Sequence, residues 1–229
     1  MESSVISSVE TDKNLLNDDF VLQQPKYTVE PIAVSGGTFY LLLKRLFDVV
    51  VSLLAGILLL IPMLMIALFV RLDSPGPALF RQERLGKDGV PFMIYKFRSM
   101  YTDAEINGPQ WAERNDHRCT RLGRLLRSTR LDELPQLWNI LKGDMSFVGP
   151  RPERACFYEE FETYIQGFHN RLLVQPGLTG WAQVNGGYDL KPEEKIVYDM
   201  EYIQNRSVIM DIRCIVKTVG LIFTHDGAR

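Results

Sequence analysis

Residues 49–70 read VVVSLLAGILLLIPMLMIALFV, twenty-two positions without a charge. A straight helix of that length reaches about 33 Å at 1.5 Å per residue, enough to cross the hydrocarbon core of a bilayer. The run begins too far from Met1 to be a signal peptide, and no small-residue cleavage site follows it. A buried core helix is the competing reading, but a soluble domain rarely needs so long an uncharged stretch. Pro62 stands just past the middle, where it removes a backbone donor and bends a helix. Lys44 and Arg45 precede the run, and Arg71, Arg81, Arg84 and Lys87 follow it. Basic flanks favour the cytoplasmic side. Two such flanks predict a helix that breaks at Pro62 and returns to the face it entered, a re-entrant hairpin over residues 41–72.

Charge is distributed unevenly around that hairpin. The 229 residues carry a net charge of -2. Within it, residues 1–43 hold two lysines against six acids, residues 44–130 hold fourteen basic residues against eight acids, and the remainder is acidic again. A basic middle predicts an anionic partner such as phosphate groups or a lipid surface. Nucleic acid is not expected, because no helix-turn-helix, zinc-finger or RNP-like pattern is present. Cys119, Cys156 and Cys214 have neither metal-site nor disulfide spacing and read as reduced thiols. Neither GxxxxGK[ST] nor GxGxxG after a strand occurs, so the two common nucleotide-phosphate loops are absent.

Residues 1–40 mix acids with Ser, Asn and Gln at little periodicity and predict a flexible acidic tail. Residues 73–229 form the remaining domain. After a turn at Asp73–Pro77, the segment Phe80 to Met100 predicts two strands around Gly86–Gly89. Arg118, Arg121, Arg124, Arg127 and Arg130 recur every third residue, with Leu122, Leu125 and Leu126 opposite, which predicts a basic amphipathic helix. Such a face suits bulk solvent, anionic lipid or phosphates equally well. A further helix spans Leu134 to Leu141, with Pro135 in its first turn and Gly143 at its end. Asp132 and Glu133 stand where carboxylates ordinarily cap amides. Pro176 to Gly187 predicts a loop, a helix follows Pro192, and Ser207 to Phe223 predicts an amphipathic interfacial element.

Two longer strings decide more. Residues 127–152 run RSTRLDELPQLWNILKGDMSFVGPRP, and residues 174–187 run VQPGLTGWAQVNGG. Together with Lys44-Arg45, the hairpin and YKFRSM from Tyr95, they resemble the bacterial sugar transferase family in order, over roughly residues 40–224. The family comprises monotopic polyprenyl-phosphate phosphoglycosyl transferases that initiate capsule, exopolysaccharide and O-antigen assembly.

The resemblance implies an α/β-type small soluble domain on a re-entrant membrane helix hairpin with interfacial amphipathic helices, at the cytoplasmic face of a bacterial membrane. It implies a UDP-sugar and polyprenyl (undecaprenyl) phosphate as substrates, membrane lipids as surroundings, and Mg²⁺ as cofactor. The matching catalytic dyad is Asp132 and Glu133, which also provides the metal ligands and replaces the capping reading. Asp132 is expected to attack the sugar-bearing phosphate, with direct transfer in a ternary complex and a non-catalytic tethered module as the alternatives. Arg127, Arg151, Lys96 and Arg98 are expected on phosphate. Pro150, Asp199, Gln183 and Asn185 are expected around nucleotide or sugar, and Lys44, Arg45 and Pro62 at the membrane anchor. A homodimer is left open. Three departures stand out: Ile61-Pro62 where many relatives have Ser-Pro, Gly187 where some have Arg, and an acidic tail where larger relatives carry a membrane bundle. The last implies a small form or part of a longer chain. The sugar is not identified, a hexose being preferred.

Overall fold

The computed structural model describes residues 6–8, 25–106, 108, 110, 116–187 and 190–224. The apolar run divides into two helices, α1 (Thr38–Leu58) and α2 (Leu60–Asp73), bent by 63° at Leu59. Among the described residues no single helix is long and apolar enough to cross a membrane. The bend falls three residues before Pro62, not at it. Proline lacks the N–H that would reach the Leu58 carbonyl four residues back, and its ring clashes with that carbonyl, so the helix gives way upstream. The neighbouring bonds persist: Leu59 N–H donates to Ala55 at 2.8 Å and Met63 N–H to Leu59 at 2.8 Å.

One face of α1 is polar and turned inward, at steps of four. Tyr40, Asp48 and Ser52 are buried. Lys44 pairs with Asp211 at 2.8 Å, and Arg45 donates to the carbonyls of Ile140 and Leu141, each at 2.7 Å. Lys44 and Arg45, expected at the membrane anchor, thus have their charged ends on partners within the domain. They tie α1 to the rest of the domain, because helix ends and a half-buried carboxylate offer stronger partners than solvent. The opposite face of α1 leaves Leu42, Leu46, Leu53, Leu54 and Ile57 exposed.

The antiparallel pair β3 (Leu79–Leu85) and β4 (Pro91–Phe97) follows, in register from Leu79 opposite Phe97 to Leu85 opposite Pro91. Then come α3 (Arg121–Ser128), α4 (Gln136–Lys142) and β5 (Ser146–Val148). Only the middle of the arginine series is helical. Arg118 lies before the helix on Asp116, and Arg130 after it in a left-handed turn at φ 59°. The chain continues through α5 (Ala155–Glu162), β6 (Ile165–Gln166), β7 (Gly177–Thr179), α6 (Trp181–Asn185), α7 (Pro192–Asn205) and α8 (Val208–Thr224). The loop expected over Pro176 to Gly187 thus holds a strand parallel to β5 and a short helix. The main core gathers Val148, Tyr158, Phe161, Ile165, Phe168, Ile196, Met200, Ile203 and Cys214.

The tail reading also changes for residues 25–40. β2 (Tyr27–Val29) runs parallel to β6 and antiparallel to β1 (Ile6–Ser8), and Val29 is buried in the main core. A three-residue strand is invisible to periodicity, and its partner edge exists only once β6 is formed. The remainder of the tail, residues 1–5 and 9–24, lies outside the described residues.

Candidate active site

Asp132 and Glu133 sit in a single 3₁₀ turn, Leu131–Glu133, between α3 and α4. Three local features fix that turn. α3 starts on Thr120, whose Oγ1 accepts the Gly123 N–H at 2.9 Å, and it presses so closely on the end of β4 that a Cβ at Gly123 would lie 1.9 Å from the Ser99 carbonyl oxygen. α4 is docked to β4 by Asn139, fully buried, which accepts from Tyr95 N–H at 3.2 Å and donates to Met93 O at 2.7 Å. Gly143, at φ 99°, ends α4 in the left-handed conformation that glycine adopts without strain.

This docking brings the turn to Lys96 on β4. Glu133 Oε1 accepts from Lys96 Nζ at 2.9 Å and from Arg151 at 2.5 Å. Arg151 is delivered by the loop after β5. There Gly149 N–H donates to Thr179 O at 2.9 Å and Gly177 N–H to Pro150 O at 2.9 Å. β5 is itself held to α1, since Asp48 accepts from Ser146 Oγ at 3.1 Å and from Phe147 N–H at 3.0 Å.

Both acidic side chains are buried, and their titration differs. Burial pushes the Asp132 carboxyl up to about 6, with Lys96 opposing and the Glu133 charge adding. Burial also works against an ionised Glu133, but Arg151 and Lys96 outweigh it and hold that carboxyl well below the usual carboxylate range. Among the described residues the Asp132 side chain has no hydrogen-bond partner, so Glu133 anchors the cations and Asp132 faces the opening. That opening is a groove of about 500 Å³, walled by Lys96, Arg127, Asp132, Arg151, Arg84, Tyr101, Phe157 and Lys195 among others. A lining in which basic residues outnumber acidic ones suits a polyanion.

The structure thus brings Asp132, Glu133, Lys96, Arg127 and Arg151 together, as the sequence suggested. The other candidates differ. Arg98 reaches the groove wall, but its guanidinium is committed to the main-chain carbonyls of Val70 (3.2 Å), Ser74 (2.6 Å) and Pro75, where α2 ends. The carbonyls at a helix C-terminus lack intrahelical partners, and a buried arginine fills that need. Pro150 shapes the backbone beside Arg151 without lining the groove. Asn185 is tied to Trp181 O (2.8 Å) and Lys217 (2.7 Å). Asp199 is paired with Arg171 at 2.7 Å and, with Gln183, lines a separate small cavity.

Sequence reasoning passed over Arg84, Arg171 and Lys195. Arg84 donates to Glu153 at 3.1 Å. Burial pushes the Lys195 ammonium down, with Arg171 and Arg151 adding to the effect and Glu153 opposing it. None of the three stands in a spacing pattern that marks a site; Arg84 read only as a basic flank of the apolar run, and Arg171 and Lys195 carried no signal of their own.

A cationic groove with the Asp132 carboxylate in its wall, carried on a mixed helix-and-strand domain, suits anionic ligands. The chain belongs to the bacterial sugar transferase family, whose description matches residues 39–225. It is 44% identical over 193 residues to the UDP-N-acetylgalactosamine-undecaprenyl-phosphate N-acetylgalactosaminephosphotransferase of Aeromonas hydrophila, covering 83% of this chain and 46% of that protein. It is 45% identical over 192 residues to the UDP-glucose:undecaprenyl-phosphate glucose-1-phosphate transferase of Escherichia coli K12, covering 82% and 41%. With the exopolysaccharide production protein PSS of Rhizobium leguminosarum bv. phaseoli it shares 43% identity over 191 residues, covering 78% and 94%. The chain spans less than half the length of the first two relatives and nearly all of the third.

Proposed function

We propose that this protein transfers a sugar 1-phosphate from a UDP-sugar to undecaprenyl phosphate at a membrane surface, through a covalent intermediate on Asp132. The observation that carries the reading is the Asp132–Glu133 turn, in which one carboxylate is locked between two cations and its neighbour is left facing a cationic groove. The names of the relatives supply the substrate classes.

In the first step an Asp132 oxygen attacks the phosphorus that bears the sugar. The bond to the departing UMP breaks, and an aspartyl phosphosugar remains. In the second, a phosphate oxygen of the lipid attacks the same phosphorus and breaks its bond to Asp132, which restores the carboxylate. The two anionic substrates need never share the groove. Arg127, Arg151 and Lys96 offset the repulsion between an anionic nucleophile and an anionic diphosphate.

Mg²⁺ fits the donor set offered. Among the described residues no three acidic, His or Cys side chains converge, and Mg²⁺ is commonly held by one or two carboxylates together with substrate phosphates and water. Asp132 and Glu133 would hold it, and it would neutralise phosphate charge and polarise the bond being broken.

Membrane attachment through a re-entrant α1–α2 pair is supported by the 63° bend and by exposed apolar side chains at its tip, Leu58 at 79% and Ile61 at 73%. α8 adds an exposed apolar stripe of Val208, Ile209, Ile212, Val216 and Val219. The lipid's phosphate lies at headgroup depth, so a domain seated on these surfaces would meet it there.

Intact mass spectrometry on nanodisc-reconstituted protein with Mg²⁺ and a panel of UDP-sugars, without lipid acceptor, tests the proposal. A phosphosugar adduct absent from Asp132→Asn is expected. UMP release that requires undecaprenyl phosphate, with no adduct, would replace the covalent route by direct transfer.

A further inference from the structure

Lys195 stands on α7 in the wall of the groove, only 9% exposed. Its surroundings carry more positive than negative charge. Glu153 and Asp199 are its acidic neighbours, and each already holds an arginine, Arg84 on Glu153 at 3.1 Å and Arg171 on Asp199 at 2.7 Å. Arg151 lies beside it as well and is bound to Glu133. Burial pushes the Lys195 ammonium down, and an entering anion favours its charged form.

Arg151 joins Lys195 to the catalytic turn. Its guanidinium donates to Glu133, next to Asp132, at 2.5 Å, and its carbonyl accepts from Arg171 at 2.9 Å. Arg171 is bound to Asp199, one helical turn along α7 from Lys195. Arg151 is also the one cation among the strongest charges on both Asp132 and Lys195. Along the groove the order is therefore Asp132, Arg151, Lys195.

Displacement at phosphorus runs roughly in line, with the attacking and departing oxygens on opposite sides. When Asp132 attacks, the bond to UMP breaks on the far side of the phosphorus. When the lipid phosphate attacks in turn, Asp132 is the departing group, so the new oxygen must enter from the side that UMP left. Resting on the reading of Asp132 as the nucleophile toward a UDP-sugar, we propose that Lys195 and Arg151 form one phosphate subsite that is used twice. It holds the phosphate of UMP in the first step and the phosphate of the lipid acceptor in the second. UMP must leave before the acceptor can bind.

Calorimetry on nanodisc-held protein without any UDP-sugar reads the subsite in the absence of reaction. UMP and uridine are titrated into wild type and Lys195→Met, with and without undecaprenyl phosphate in the disc. In wild type, saturating lipid should weaken UMP about tenfold and leave uridine unchanged. Lys195→Met should bind UMP about tenfold more weakly and uridine equally well. It should also slow adduct formation and adduct discharge to lipid alike, each about 100-fold. UMP affinity indifferent to the lipid in wild type would overturn the shared subsite, whether or not the variant folds. Equal UMP affinity in the two proteins, or a variant slowed in one step alone, would overturn the part given to Lys195. Competition between UMP and lipid, with no adduct or turnover from any UDP-sugar in wild type, would remove the transfer reading and the two-step use of the subsite with it.

Discussion

Asp132 and Glu133 are adjacent in the chain, and their carboxylates titrate in opposite directions. The Glu133 carboxylate lies between Lys96 at 2.9 Å and Arg151 at 2.5 Å and stays ionised. Asp132, equally buried but without such a partner, is pushed up to about 6. The first is a fixed charge and the second a titrating group at the opening of the groove.

The rate of adduct formation should follow the ionised fraction of Asp132. It should fall at the acid end, because a protonated carboxyl is no nucleophile, and bound Mg²⁺ should move that fall below the value of about 6 that burial gives the metal-free carboxyl. A quench-flow profile from pH 4.5 to 8 checks this. Adduct formation by Asp132→Asn at any of these pH values would remove Asp132 from the nucleophile's role.

The same raised value acts on stability. The folded state holds the Asp132 proton more tightly than the unfolded chain, so keeping the group ionised destabilises the fold above about pH 6, and the penalty fades as pH falls through that value. Asp132→Asn should therefore be more stable than wild type at pH 8, by roughly 3 kcal/mol, and similar to it near pH 4. Thermal unfolding at the two pH values gives the comparison.

Arg98 and Arg127 should separate structure from chemistry. Arg98→Met removes bonds to three carbonyls at the end of α2 and should lower stability by roughly 3 kcal/mol, leaving the rate per folded molecule close to wild type. Arg127→Met should slow adduct formation about 100-fold with a smaller loss in melting than Arg98→Met, since its contact within the fold is to the Cys119 thiol. Paired melting and single-turnover measurements distinguish them, and an Arg98 variant that melts normally but reacts slowly would return Arg98 to the phosphate.

Asp48 links the apolar helix to the strand that leads to Arg151. Asp48→Ala leaves Ser146 Oγ and the Phe147 amide without their acceptor and should destabilise by about 2–4 kcal/mol. Asp48→Asn keeps a carbonyl oxygen in place and should lose about half as much. Denaturation of the detergent-solubilised variants measures both.

Local chemistry made much of this legible in the sequence. The apolar run, the β3–β4 hairpin around Gly86–Gly89, the stop of α4 at Gly143, the start of α7 at Pro192 and the outward stripe of α8 each follow from residue type and short-range spacing. The dyad and its arginines were legible through the resemblance, since carboxylates at a helix start read by themselves as caps.

Long-range packing decided the rest. Whether an arginine meets substrate or main-chain carbonyls depends on which helix end lies opposite, and that separates Arg98 from Arg151 although both are groove-wall arginines near an acidic dyad. Lys44 and Arg45 turned inward because Asp211 and the end of α4, more than ninety residues away, offered partners there. Likewise Arg171 and Asp199 meet only when α7 and the segment before β7 pack together. The sequence by itself determined which residues could carry charge and where helices begin and end. Only the tertiary structure decided which charges neutralise one another and which are left for a ligand, because that depends on contacts between distant parts of the chain.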